Sequence, residues 1–359
     1  MYAVFTKEPD NSMRTKIGFV YDPVYLTHNT GFHVENSQRL SSIIDHLKET
    51  GLMDRLVTIK PRPATAEELA EVHAPEYIES IRRSSETGVT FRVDPDTVVS
   101  PGSWNAALYA AGGVIAAVES VIRGKTDYAF AAVRPPGHHA TCWHAMGFCL
   151  FNNIAVAAKY ARKHLNVGRI LIVDFDVHHG NGTQDAFYAD PHVFYFSTHQ
   201  HPLFPGTGSM HELGVKKGEG YTANVPMMPG CGDDEYQAVF EDVLAPLARR
   251  FKPDLILVSA GYDAHRADPI AQMNLSVSGF ARLTEIVKVL ANMLCGNRLV
   301  FCLEGGYNLE ALSLSVAATL NVLYGKKQID DPLGHIETPA GPSNFFSHLK
   351  SVKDIHHIS

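Results

Sequence analysis

Six short apolar runs, almost free of polar alternation, constrain this chain more than anything else in it. They are residues 16–21 (KIGFVY), 128–133 (YAFAAV), 169–173 (RILIV), 193–196 (VFYF), 254–259 (DLILVS) and 298–303 (RLVFCL). A strand with one wet face alternates apolar and polar residues; a strand buried on both faces does not. Such runs demand a sheet covered on both sides. Amphipathic stretches of helical length lie between them, at 37–51, 104–123, 152–164, 233–251, 276–296 and 308–325. Several begin with a capping residue and end in glycine. Strand–helix alternation over most of the length predicts an α/β fold built on a central parallel sheet.

No linker or repeat divides the 359 residues, so a single domain is expected. After Gly325 the tail turns polar and proline-punctuated, with a short helix expected near 345–352. A composition of 45% hydrophobic and 19% charged residues supports a large core. The formal charge of -7 argues against broad attraction to nucleic acid or an anionic membrane, so neither is expected as a partner. Five cysteines, odd in number and without a C-x-x-C pair, read as reduced thiols. The N-terminal MYAVFTKEPDNSMRTK carries acids and no long apolar stretch, unlike a secretory signal. No window reaches the roughly 18 uninterrupted apolar residues of a membrane span. A cytoplasmic protein is expected, and the sequence leaves homo-oligomer formation open.

Four of the runs end in glycine-bearing loops that carry ionisable residues. After YAFAAV comes Arg134-Pro-Pro-Gly-His-His139, and RILIV leads into Asp174-Phe-Asp-Val-His-His-Gly-Asn-Gly182. DLILVS is followed by Ala260-Gly-Tyr-Asp263, and RLVFCL by Glu304-Gly-Gly-Tyr307. A parallel sheet brings such ends to one edge, where ligands of open α/β sheets bind. Asp176 and His178 are two apart, so on extended backbone they point the same way. With Asp263 they offer two carboxylates and an imidazole, three ligands that leave a catalytic zinc an open position for water. His138 and His139 could take a proton from that water, and Asp174 could orient an imidazole of the pair. Tyr307, on a flexible glycine shoulder, could donate to the oxyanion of a tetrahedral carbonyl. Separately, Asp263 reads as a helix cap, Tyr307 as a half-buried aromatic and the histidine pair as a satisfied turn. Together they amount to metal-assisted amide hydrolysis.

The segments R-P-P-G-H-H-A (134–140), G-F-C-L-F-N-N (147–153), D-F-D-V-H-H-G-N-G-T-Q (174–184), F-P-G-T-G (204–208), S-A-G-Y-D-A (259–264) and L-E-G-G-Y-N (303–308) resemble the zinc-dependent histone deacetylases. The H-H-G-N-G and L-E-G-G-Y-N forms look like the class II branch and its bacterial relatives, the histone deacetylase-like amidohydrolases. The match runs from about residue 16 to 325, in the family's order. It implies an arginase/deacetylase fold, one α/β domain with a central eight-stranded parallel sheet flanked by helices. By motif, Asp176, His178 and Asp263 hold zinc, His139 is the principal base, His138 its electrostatic partner, and Tyr307 polarises the acetyl carbonyl. Gly147 offers its carbonyl to the substrate amide. Phe148 and Phe204 wall a narrow tunnel, with Gly305 and Gly306 bordering the substrate. Arg39 matches the arginine near the internal acetate cavity, although by itself it reads equally as a surface helix residue. The resemblance also implies structural potassium at Asp174, Asp176, His178, Ser197 and Thr198, and a second such site at Phe187, Asp190, Val193 and Tyr221. At Asn181 class I members carry an aspartate; class II relatives share the asparagine, which makes His139 less basic without removing activity.

The implied reaction is hydrolysis of an N-acyl amide, foremost N-acetyl-lysine on a peptide or small molecule, to free amine and acetate. Acetylpolyamine hydrolysis uses the same chemistry but needs a carboxylate for the distal ammonium. The polyamine-selective branch has a glutamate where this chain has Ile270, which ranks that reading second. Asp94, Asp96, Asp233 and Asp234 remain as other sources of charge. A non-catalytic metal-binding scaffold conflicts with the intact set of chemical groups. A binuclear ureohydrolase needs more ligands than one Asp-x-His strand and a distant Asp.

Overall fold

In the computed structural model, residues 15–334 and 342–358 are described. The strands are β1 (Ile17–Val20), β2 (Val57–Ile59), β3 (Phe91–Arg92), β4 (Val98–Val99), β5 (Tyr128–Ala131), β6 (Ile170–Asp174), β7 (Val193–Gln200), β8 (Thr222–Met227), β9 (Leu255–Ala260) and β10 (Leu299–Leu303). Strands β3 and β4 form a small antiparallel pair. The other eight make one sheet in the order β2-β1-β5-β10-β9-β6-β7-β8, with every neighbouring pair parallel. The expected α/β architecture is what the chain adopts. All six apolar runs are strands, and their side chains are buried almost throughout. Phe19, Phe130 and Phe301 stack across three neighbouring strands with centroids 6.1 and 6.2 Å apart. Burying each such ring contributes about 1.5–3 kcal/mol, so the middle of the sheet is a rigid platform.

The two strands of the eight-stranded sheet without a signal in the sequence are its two edges. β2 is three residues long and largely exposed. β8 contains Pro226, which has no N–H to donate and is tolerated where no further strand pairs. Three α-helices were equally unmarked: the short Ala66–Leu69, Pro75–Glu86, which starts on its proline, and Asn181–Phe187, which grows out of the H-G-N-G turn. The stretch 233–251 is not one α-helix. It runs as Asp233–Val239, a π-turn at Phe240–Leu244, and Ala245–Phe251. Pro246 lacks the N–H that would continue the regular ladder there. The helix Ser103–Ile122 is apolar enough by composition to cross a membrane, but here it is a core element with Ala106, Ala110, Val114 and Ile115 fully buried.

β5, β10, β9 and β6 are four adjacent strands at the centre of the sheet. Their carboxyl ends carry the four loops singled out above. Register sets the details: Asp174 lies beside both Ser259 and Ser197, and Leu303 lies beside Ala260.

Candidate active site

The chain bends as soon as β6 ends at Asp174, so the strand's period of two is not what aligns Asp176 with His178. The alignment comes from hydrogen bonds. The His178 backbone N–H donates to Asp176 Oδ1 at 2.9 Å, and Val177 N–H donates to Asp263 Oδ1 at 2.9 Å. His178 Nδ1 then lies 3.1 Å from Asp176 Oδ1 and 3.2 Å from Asp263 Oδ2. One ligand atom from each of the three side chains lies within 4.8 Å of the others, and all three residues are buried. Asp263 is therefore no helix cap.

This set fits a cation of the zinc type. Asp263 Oδ2 is buried and, among the described residues, faces the His178 ring nitrogen at 3.2 Å rather than a backbone N–H. Burial opposes charge on His178, yet its bonds to Asp176 and Asp263 push it up to about 10, so two buried anions call for a positive charge between them. Gly305 N–H braces Asp176 Oδ2 at 2.8 Å. A Cβ on Gly305 would sit 2.1 Å from Asp263 Oδ2 and 2.6 Å from Asp176 Oδ2, so this glycine is required by close approach.

The histidine pair sits beside the triad, its rings 4.0 Å apart. His138 Nδ1 bonds Asp174 Oδ2 at 3.1 Å, and its Nε2 is 3.8 Å from Asp176 Oδ1. Burial pulls its basicity down, but the carboxylates of Asp176 and Asp174 raise it to about 10. His139 is held well below its ordinary value by burial and by the charges of His138 and His178. Its Nδ1 faces Asn181 Oδ1 at 2.8 Å, which leaves Nε2 as the free acceptor of a neutral ring. Asp174 is further tied down by the Tyr195 hydroxyl at 3.0 Å. Beneath the pair, Glu304 accepts the N–H groups of Gly137 at 2.7 Å and His138 at 3.2 Å.

The loop bearing Tyr307 is not a flexible shoulder. Arg39 donates to the carbonyls of Glu304 at 2.5 Å and Gly306 at 2.7 Å, and Tyr262 N–H donates to that of Gly305 at 3.1 Å. Tyr307 N–H donates to Asp268 Oδ2 at 2.7 Å. Burial keeps the phenol well above its ordinary value, hence protonated, with the Arg39 guanidinium pulling the other way from 4.9 Å over its ring. Burial and Asp263 together push the Asp268 carboxyl up to about 7.

Opposite stands a tight turn, Met146–Cys149, closed by Cys149 N–H to Met146 O at 2.9 Å. Both central residues have positive φ, 55° at Gly147 and 68° at Phe148. An aromatic residue in that region carries strain, about 1–3 kcal/mol. The turn is held by Asp96 Oδ1 on Gly147 N–H and Thr97 Oγ1 on Phe148 N–H, both at 3.1 Å. Phe148 meets the Tyr307 ring edge-on at 5.7 Å. Phe204 lies 5.0 Å from His139 and 6.3 Å from His178 and is 38% exposed. Thus both aromatics border the centre, and the Gly147 carbonyl receives the buried Cys149 thiol at 3.3 Å.

Arg39 is fully buried, which overturns its reading as a surface residue. Glu35 bonds it at 3.2 Å and Arg134 at 2.5 Å, and the two guanidiniums outweigh burial to hold Glu35 at about 2. Ile270 sits on the Asp268 loop, its N–H on Asp268 Oδ1 at 3.1 Å. Of the four acids kept as sources of charge, only Asp96 bonds the Met146–Cys149 turn. Asp233 is bonded to Ser276, and Asp234 is 3.6 Å from Arg282. Of the residues implied for potassium, Ser197 Oγ contacts His199 Nδ1 at 2.9 Å, and Thr198 Oγ1 is buried without a partner. Phe187, Asp190 and Val193 are linked in series, Asp190 N–H to the Phe187 carbonyl and Val193 N–H to that of Asp190, and the Tyr221 carbonyl accepts Tyr195 N–H. Sequence reasoning gave no role to Asp268, Thr97, Glu304, Glu35 or Tyr195, and kept Asp96 only as a source of charge for a polyamine. Each acts through partners distant in the chain.

Known proteins supply an independent comparison. The profile of the histone deacetylase domain matches residues 33–323. The chain is 42% identical over 352 residues to "Histone deacetylase 10, chloroplastic" of Oryza sativa subsp. japonica, covering 92% of this chain and 79% of that one. It is 42% identical over 296 residues to a "Probable deacetylase" of Archaeoglobus fulgidus, covering 82% of each. Its structure matches the crystal structure of the HDA15 HD domain with a TM-score of 0.87 at 36% identity, over 96% of this chain and 94% of that one.

Proposed function

The chain belongs to the histone deacetylase family, and on that premise we propose that it is a zinc-dependent amidohydrolase releasing acetate from N-acetyl-lysine-type substrates. One observation carries the reading: a buried Asp176–His178–Asp263 set whose ligand atoms converge within 4.8 Å, beside a neutral His139. Zinc, when bound, supplies the Lewis acidity and lowers the pKa of water as hydrolysis of an unactivated amide requires. His139, with Nδ1–H on Asn181, presents Nε2 to accept the proton of the attacking water and pass it to the leaving amine. His138, already protonated between Asp174 and Asp176, cannot act as base. Its charge lies one ring away and disfavours a resting imidazolium on His139. Gly147 carbonyl accepts the substrate N–H, and Phe148 and Phe204 flank an alkyl chain.

Tyr307 donates its hydroxyl to the oxyanion. Tyr307→Phe is therefore expected to lower kcat by about 10²- to 10³-fold with zinc content unchanged, the scale of a lost oxyanion donor. Steady-state kinetics with metal analysis checks this, and an unaltered kcat removes the hydroxyl from the mechanism.

Acetylpolyamines are the second reading, favoured by one observation, the Asp96 carboxylate on the tunnel turn with Asp94 beside it. Ile270 opposes it, since an isoleucine holds no ammonium. Side-by-side turnover is expected to favour an acetyl-lysine peptide over acetylputrescine; faster acetylputrescine cleavage reverses the ranking. Potassium is proposed around Asp174, Ser197 and Thr198, where the unpartnered Thr198 hydroxyl supports it. At the second set it rests on family membership alone. Five free cysteines, four of them buried, support a reducing compartment such as the cytoplasm.

A further inference from the structure

Asp268 belongs to none of the roles above, yet it holds the oxyanion donor. Its side chain is buried at 6% exposure in the loop after β9. Oδ2 accepts two N–H groups from the loop after β10, those of Tyr307 at 2.7 Å and Asn308 at 3.3 Å. Oδ1 accepts its own loop's Ile270 N–H at 3.1 Å. The neighbouring Asn308 adds a second tie, Nδ2 to the Ala267 carbonyl at 3.1 Å, while its Oδ1 caps the helix Leu309–Leu323 through Ala311 N–H at 3.0 Å. The peptide N–H of Tyr307 is thus fixed by a carboxylate, and the peptide before it by Arg39 on the Gly306 carbonyl.

We propose that Asp268 is a positioning residue that aims the Tyr307 hydroxyl, and so governs oxyanion stabilisation more than it governs metal or substrate binding. The inference rests on the role given to Tyr307 above. An ionised carboxylate takes two converging N–H groups on one oxygen and a third on the other without bringing a donor of its own, and these three bonds oppose the burial and the Asp263 charge that favour its acid form. An asparagine there presents an NH2 to at least one of these N–H groups or gives up a bond. With the clamp loosened, the peptide before the ring gains freedom, and a displacement of about 1 Å at a reacting group can cost about 10²-fold. Zinc ligation does not pass through Asp268, because Asp263 is held by Val177 N–H and Asp176 by Gly305 N–H.

The test compares Asp268→Asn and Asp268→Ala with the parent enzyme on two peptides, acetyl-lysine and trifluoroacetyl-lysine. Fluorine withdraws electrons from the carbonyl and lessens the need for an oxyanion donor, so the two substrates separate aim from general damage. The expected result for Asp268→Ala is an acetyl kcat lower by about 10²-fold, KM nearly unaltered, full zinc content, and a much smaller loss on the trifluoroacetyl peptide. Asp268→Asn should show the same pattern in milder form, which keeps the test open if the alanine variant folds poorly. Adding either substitution to Tyr307→Phe should cost little more than Tyr307→Phe alone, because both act through one hydroxyl. Equal losses on the two peptides, or additive losses in the double variant, overturn the proposal. A second readout does not need turnover. With 3-fluorotyrosine placed at position 307, the ¹⁹F resonance should shift and broaden in Asp268→Asn, and an unchanged line overturns the clamp even if the protein hydrolyses neither peptide. Loss of all activity in the zinc-loaded parent instead overturns the amidohydrolase reading.

Discussion

Asp263→Asn is expected to empty the metal centre and abolish turnover together. The asparagine retains an oxygen to accept Val177 N–H, now at 2.9 Å from Asp263 Oδ1, so the loop after β9 keeps its shape. What disappears is one of two buried negative charges, together with the carboxylate oxygen that faces the His178 ring. Two carboxylates and an imidazole hold a divalent ion because charge and ligand count act together. Losing only a hydrogen bond that supports a ligand typically costs about 10- to 100-fold. Losing the anionic ligand itself should exceed that, with turnover down by at least about 10³-fold. Zinc stoichiometry by emission spectroscopy and turnover of an acetyl-lysine peptide should fall in step. A variant that retains zinc and activity would remove Asp263 from the ligand set.

His139→Ala should leave the metal in place while lowering kcat by about 10²- to 10⁴-fold, the usual worth of a positioned general base. His138 stands 4.0 Å away and is the obvious substitute, but it is a poor one. Asp174 and Asp176 keep it protonated up to about pH 10, so near neutrality it has no lone pair to offer. The two histidines, identical in sequence, are driven apart by their surroundings: one faces two carboxylates, the other a neutral amide. Pre-steady-state and steady-state rates on an acetyl-lysine peptide, with zinc measured in parallel, decide the matter. Retention of more than a tenth of kcat would transfer the base role to His138.

Much of this was legible in the chain. Unalternating runs such as RILIV and DLILVS can be buried only in a covered sheet, and the loops after them held the triad, the histidine pair and the tyrosine. The edges of the sheet were not legible. β2 is too short to pattern and β8 is interrupted by Pro226, because an edge strand is under weaker demands than a central one. The supports of the site were hidden for a different reason. Asp268 meets Tyr307 across 39 residues, Thr97 meets Phe148 across 51, and Arg39 meets Glu304 across 265. An aspartate beside a proline reads as ordinary turn chemistry, and an arginine on an amphipathic helix reads as solvent-facing. Nothing local marks either as buried.

By itself, then, the sequence determined which chemical groups this protein owns and that a parallel sheet would gather them, because hydrophobic periodicity and motif spacing are local properties of the chain. Tertiary structure alone decided how those groups behave: which histidine is neutral, which carboxylates converge on one imidazole, and that the glycines under Tyr307 serve close approach and are clamped. Basicity, strain and aim depend on burial and on charges brought near by folding, and these have no counterpart in the order of residues.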